Sequence, residues 1–149
     1  MKKNKHRKGF TIIEIIIYIA LFSLLLGTAF VAVYELIEGS DKLSAKNTTL
    51  EEGSFVMRKL NWALTGASGF TNTSDTLHIE KYDGNQIEIE LAGTKIKMTE
   101  SAGPDDFLTT DNVSVDSLEF TPTGGTPPGM TAKATIDGTD FTITKYIRQ

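Results

Sequence analysis

Glu14 is the residue with the most chemistry to explain. It is the one charged side chain in an apolar run that extends from Phe10 to Tyr34. On insertion scales a charge inside a segment of that length costs roughly 2.5–3.5 kcal/mol, which marks it as a candidate functional residue. Two readings stand side by side. Glu14 lies only four positions beyond Phe10, so its carboxylate could reach the interface or stay protonated. Alternatively the charge is kept for function, the default reading of an ionisable group inside a membrane-length segment. The residues before it are equally ordered: Lys8-Gly9-Phe10-Thr11-Ile12-Ile13-Glu14, a basic leader closed by one glycine and followed by an aromatic.

Other residues with chemical potential are sparse. His78 is the only histidine after the leader, and it falls in an alternating stretch with no second ligand or orienting partner in view. It reads as a solvent-facing strand residue rather than a general base or zinc ligand. Asp105, Asp106 and Asp111 share a loop and are the only carboxylates considered for calcium, but solvated loop carboxylates are the default reading. There are no cysteines, so neither disulfides nor thiolate metal sites can form. No nucleophile triad, phosphate-cradling glycine loop or paired acid–base site is present. No metal or cofactor is expected, and the chain does not read as an enzyme.

The elements that position Glu14 follow from composition along the 149 residues. Residues 1–9 form a leader holding Lys2, Lys3, Lys5, Arg7 and Lys8 and no acid. Residues 10–34 would span roughly 37 Å as a helix, enough to cross a bilayer. The order is wrong for an ordinary secretory signal, whose cleavage site follows its apolar core. Basic flanks stay cytoplasmic, so the leader is expected inside and everything after about Val33 outside. Tyr34 suits the outer membrane–water interface.

Helical patterning continues over 35–65. Leu36, Leu43, Leu50, Met57 and Leu64 recur every seven residues among charged positions, with Val56 and Leu60 thickening the later part. The other row of a heptad is polar (Ser40, Asn47, Ser54, Asn61), so the stripe is expected to lie on a sheet rather than form a zipper. Gly39 and Gly53 each weaken such a helix by about 1 kcal/mol relative to alanine, and Gly39 could mark a bend. Phe55 and Trp62 are expected in the core where helix meets sheet.

Gly66-Ala67-Ser68-Gly69 ends the helix, and the rest is β-patterned. Leu77 and Ile79, then Ile87, Ile89 and Leu91, then Ile96 and Met98 alternate with polar residues around Asp83-Gly84-Asn85 and Ala92-Gly93-Thr94, a three-stranded meander. Residues 101–112 read as a loop with Phe107 and Leu108 pinned to the core. A fourth strand covers Val113 to Phe120, irregular near Asp116-Ser117. Residues 121–129 read as a loop, and a hairpin closes the chain around Asp137-Gly138-Thr139. The fold class is therefore α+β: a long N-terminal helix, hydrophobic then amphipathic, packed on a C-terminal antiparallel sheet.

The junction at Gly9 resembles the class III signal of the type IV pilin-like family, which includes pilins, pseudopilins of type II secretion and competence pseudopilins. The long helix followed by a sheet is similar to that family's layout. The resemblance implies that a prepilin peptidase cuts between Gly9 and Phe10 and methylates the new amino terminus of Phe10. It makes Glu14 the fifth mature residue, the glutamate that neutralises a neighbouring subunit's amine during filament assembly. The later half resembles minor subunits, implying a minor pilin or minor pseudopilin. Implied partners are the peptidase, other subunits, the inner-membrane assembly platform, and lipid before assembly. Two departures leave the subclass open: many relatives have a C-terminal disulfide, which a chain without cysteine cannot form, and many have a helix-kinking proline, absent between Phe10 and Thr65.

The expected organisation is a cleaved leader (1–9), a transmembrane and filament-core helix (10–34), its amphipathic continuation (35–65) and an extracytoplasmic β domain (66–149). The protein would begin in the cytoplasmic membrane and end in a filament. Removing the five leader cations from the chain's fifteen leaves ten against nineteen acidic residues, a formal net charge of −9. Such a domain is poorly suited to phosphate contacts, so nucleic acid is not expected as a partner. Two rival readings are an uncleaved single-pass protein displaying a binding module, and a DNA-uptake pseudopilin carrying a local basic patch.

Overall fold

The structure is a computed structural model that describes residues 9–73, 75–101 and 103–147. Apart from Gly9, the expected leader lies outside the described residues. A single helix, α1 (Ile12–Leu64), is followed by eight strands, β1 to β8. The chain divides after Ser44 into two compact units.

The first unit is the apolar part of α1. Its most apolar window has a mean hydropathy of 2.5 and no buried residue, so this stretch is long and apolar enough to cross a membrane. Its side chains are Ile, Leu, Val and Phe on every face, the pattern of a helix that meets an apolar solvent all round rather than one core. Thr11 starts it. The Thr11 carbonyl accepts from the amides of Glu14 (3.1 Å) and Ile15 (3.3 Å), and its hydroxyl also lies 3.4 Å from the Glu14 amide. This is N-cap geometry, which satisfies amides the helix leaves open. α1 continues through Gly39 and Gly53 without a break in its helical assignment.

The second unit comprises the rest of α1 and two antiparallel sheets. The first has the order β1-β2-β3-β4-β5: β1 (Ala67–Asn72), β2 (Thr76–Lys81), β3 (Gln86–Ala92), β4 (Lys95–Glu100) and β5 (Asp106–Phe107). The second has the order β6-β7-β8: β6 (Val115–Thr123), β7 (Gly129–Ile136) and β8 (Thr139–Tyr146). The α+β expectation holds, and so does the meander, now β2 to β4. Alternation places Leu77, Ile79, Ile87, Ile89, Ile96 and Met98 inward and their polar neighbours outward. The closing hairpin turns on Asp137 (φ 46°) and Gly138 (φ 71°), two left-handed residues that match a tight hairpin turn. The irregularity expected near Asp116-Ser117 is a register shift between Val115 and Ser117.

Several expectations are corrected. Residues 67–72 form β1 although their composition (Ala-Ser-Gly-Phe-Thr-Asn) reads as turn; pairing with β2 overrides local propensity. β5 occupies part of the expected loop, paired with β4 at Lys97 and Met98. Strands β6 and β7 reach Thr123 and Gly129, well into the loop expected over 121–129, because Pro122 pairs opposite Met130. Leu108 is buried as expected, but Phe107 is exposed with the Lys95 ammonium 5.4 Å from its ring centre.

The expected stripe is buried only at its late end, where Val56, Leu60 and Leu64 are enclosed as expected. Leu36, Leu43 and Leu50 are exposed, and Met57 is only partly buried. Thr49, Gly53 and Ala63, which the stripe did not include, share the buried face. A strict seven-residue repeat drifts around a straight helix by about 20° per heptad, so within the second unit Leu50 and Met57 sit off the face that Leu64 reaches. The buried row follows steps of three and four, and its small members let the sheets come close. A methyl group at Gly53 would lie 2.2 Å from Cζ of Phe141 on β8. Phe55 and Trp62 sit on the opposite side and are exposed, with the Lys59 ammonium 5.8 and 5.7 Å from their ring centres.

Polar contacts fix this part of the helix. Thr49 donates its hydroxyl to Asp137 Oδ2 (2.9 Å), while Asp137 Oδ1 accepts the Ser114 amide (3.0 Å). Glu52 accepts from the Thr110 amide (2.9 Å) and from the Thr110 hydroxyl. At its end α1 has no basic residue in the last turn. Lys81 of β2 supplies one, donating to the carbonyls of Trp62 (3.1 Å) and Thr65 (2.5 Å). Burial pulls the Lys81 ammonium below its ordinary range, against the opposing charges of Asp83 and Glu100.

Candidate functional site

The candidate residues cluster where α1 begins. Gly9 and Phe10 precede the helix and are exposed; Thr11 caps it, and Glu14 lies in its first turn. A carboxylate there is favoured by the partial positive charge of the helix start. A Cβ on Gly9 would meet nothing within 4 Å, so packing within the chain does not demand glycine.

Glu14 is half-buried in a stretch that is otherwise exposed, and the cause is Tyr18. One helical turn further on, the Tyr18 hydroxyl donates to Glu14 Oε1 at 3.1 Å. Side chains four apart share a helix face, and helical side chains lean toward the N-terminus, so Tyr18 reaches back over Glu14. Its ring also meets Phe10 edge-on, with centroids 6.4 Å apart and planes at 75°. The structure thus brings two of the predicted residues, Phe10 and Glu14, onto one tyrosine of the apolar run, a residue the sequence motifs did not single out. The available signal was a polar aromatic four residues after the lone carboxylate.

The other candidates disperse. His78 is exposed and faces Glu88 across β2 and β3, with Nε2 3.9 Å from Oε1. Asp105 accepts from the Thr99 hydroxyl (2.8 Å) and lies 3.5 Å from the Lys97 ammonium. Those two contacts hold its carboxyl below the usual range. Asp111 pairs with Lys95 at 2.5 Å, and Asp106 sits in β5 opposite Met98. The three loop aspartates therefore engage separate partners, and among the described residues no group of three acidic or histidine side chains is placed to hold a metal ion.

One long N-terminal helix followed by antiparallel sheets is a pilin-like arrangement. Comparison with protein families gives a match over residues 4–30 to the prokaryotic N-terminal methylation motif. That motif is the class III signal of type IV pilin-like precursors, and the matched span contains Gly9, Phe10, Glu14 and Tyr18. No curated protein and no solved structure matches the chain. The motif lies on the one described helix that is long and apolar enough to cross a membrane, which marks a membrane-anchored start.

Proposed function

We propose that this chain is a prepilin whose mature form is a structural subunit, of minor pilin or minor pseudopilin grade, in a type IV pilus or type II secretion pseudopilus. The observation that carries the reading is the methylation motif over residues 4–30, in register with a lone carboxylate at the start of a membrane-length helix. Prepilin peptidase cuts between Gly9 and Phe10, a bond whose glycine the chain's own packing does not require. It then methylates the Phe10 amine. Before assembly the subunit sits in the cytoplasmic membrane with residues 1–9 inside, the 10–34 segment in lipid and residues 66–149 outside. The 35–65 segment carries the helix onward into the sheets.

Assembly then exchanges lipid for neighbouring helices. Glu14 pairs with the amine of an adjacent subunit, which offsets the cost of an ion in an apolar filament core. The assembly platform in the inner membrane is the partner that drives this exchange.

Intact mass and N-terminal sequence of the protein from its native membrane test the reading. Loss of residues 1–9 with a methyl group on Phe10 is the expected result. A chain that keeps its leader in cells with an active prepilin peptidase rejects it in favour of an uncleaved membrane-anchored binding module.

A further inference from the structure

We propose that Tyr18 is the positioning residue for Glu14: its hydroxyl holds the Glu14 carboxyl group in the membrane-resident subunit and presents it for pairing on assembly. The proposal rests on the pairing role of Glu14 and adds a residue that lies beyond the Gly9–Glu14 junction.

The geometry carries it. The Tyr18 hydroxyl is 3.1 Å from Glu14 Oε1, and the two residues are one turn apart on one face. In lipid no water replaces a missing donor, so a carboxyl group beside an intramolecular hydroxyl is better satisfied than one without it. Residues 15 to 17 and 19 to 22 offer only apolar side chains, Ile-Ile-Ile and Ile-Ala-Leu-Phe. The contact uses Oε1 and leaves Oε2 for the amine of a neighbouring subunit.

The same tyrosine touches Phe10, whose ring centroid is 6.4 Å from its own. Phe10 carries the amine that cleavage would release. Tyr18 therefore touches the Glu14 carboxyl group and the side chain of the residue whose amine the pair would use, within one chain. It fixes the direction of the Glu14 side chain through the hydroxyl and the place of Phe10 through the ring. Tyr18→Phe separates these effects, since it keeps the ring and removes only the hydroxyl.

Two measurements on the full chain decide the matter. In the first, carboxyl-13C-glutamate-labelled protein is reconstituted in phosphatidylethanolamine–phosphatidylglycerol vesicles. The infrared band of Glu14 is isolated by subtracting the spectrum of Glu14→Gln. A donated hydrogen bond redistributes bond order between the two carboxyl C–O bonds, so Tyr18→Phe is expected to shift the band. In the second, Tyr18→Phe is placed in the native host, and leader removal and sheared filament yield are followed. Leader removal is expected to be unchanged. Yield is expected to fall about threefold to tenfold, the range for one hydrogen bond in a membrane or to a charged group.

An unmoved Glu14 band in Tyr18→Phe overturns the proposal. So does a normal filament yield in Tyr18→Phe where Glu14→Gln is defective. Should Glu14→Gln assemble like the wild type, the pairing reading beneath the proposal fails, and the silent variant identifies which of the two was wrong.

Discussion

At the scale of single residues, two positions combine a charge with an unusual setting. Glu14 is one, and Glu14→Ala is expected to leave leader cleavage intact while abolishing recovery of the subunit in sheared filaments, scored by immunoblot. The cut depends on the residues around Gly9, whereas pairing depends on the carboxylate. Lys81 is the other. Its ammonium closes the carbonyl end of α1 at Trp62 and Thr65 and also lies 5.0 Å from the Trp62 ring centre. Lys81→Met keeps much of the stem and removes the charge; it should cost about 1 kcal/mol of stability in thermal melts of the detergent-solubilised chain. Glu14 was legible in the sequence because a lone charge in an apolar run is a contrast that needs no coordinates. Lys81 was not, because its alternating position in β2 predicts only which face it takes. Its partners lie in an element separated from it by β1.

At the scale of elements, the contact between α1 and β8 decides how closely helix and sheet approach. Alanine at Gly53 would favour the helix by about 1 kcal/mol on propensity alone. Its methyl group would collide with the Phe141 ring, and overpacking of this kind costs about 1–3 kcal/mol. Gly53→Ala should therefore lower the melting temperature, and Gly53→Ala combined with Phe141→Leu should recover part of the loss. Leu60 is fully buried in the same face, and Leu60→Ala should destabilise by about 2–5 kcal/mol in denaturant titrations. Strands with clear alternation, such as β3 with Ile87, Ile89 and Leu91, could be read directly. β1 could not, since Ser68 and Gly69 carry no apolar signal and the strand exists through its partner β2. The leucine stripe was legible at Val56, Leu60 and Leu64 but misled at Leu50 and Met57 for a geometric reason: a repeat of seven is not the repeat of a straight helix, and the small residues Gly53 and Ala63 that complete the face carry no strong apolar signal.

At the scale of the whole molecule, surface pairs set the pH limits of stability. The Thr99 hydroxyl and Lys97 hold Asp105 below its ordinary value of 3.8, and Lys133 and the Thr135 hydroxyl do the same for Asp140. Both carboxylates contribute stability above 3.8 that is lost as pH falls through their lowered pKa. Hydrogen bonds from Lys97 to Glu90 and from Lys133 to Asp140 raise both ammonium groups above 10.5, so their contribution is complete below 10.5 and is lost as pH rises through the raised values. These four groups should thus add no pH dependence between these limits, and Asp105→Asn with Asp140→Asn should reduce the acid-side fall in melting temperature. These exposed pairs are salt-sensitive, so the difference should shrink in high salt. The lysine at the end of α1 has a consequence for the order of events during synthesis. Its carbonyls emerge first and stay open until β1 and β2 have been made and folded back. The last helical turn is therefore conditional on the sheet, and amide exchange in nascent or truncated chains ending before Lys81 should show that turn frayed while the body of the helix is already protected.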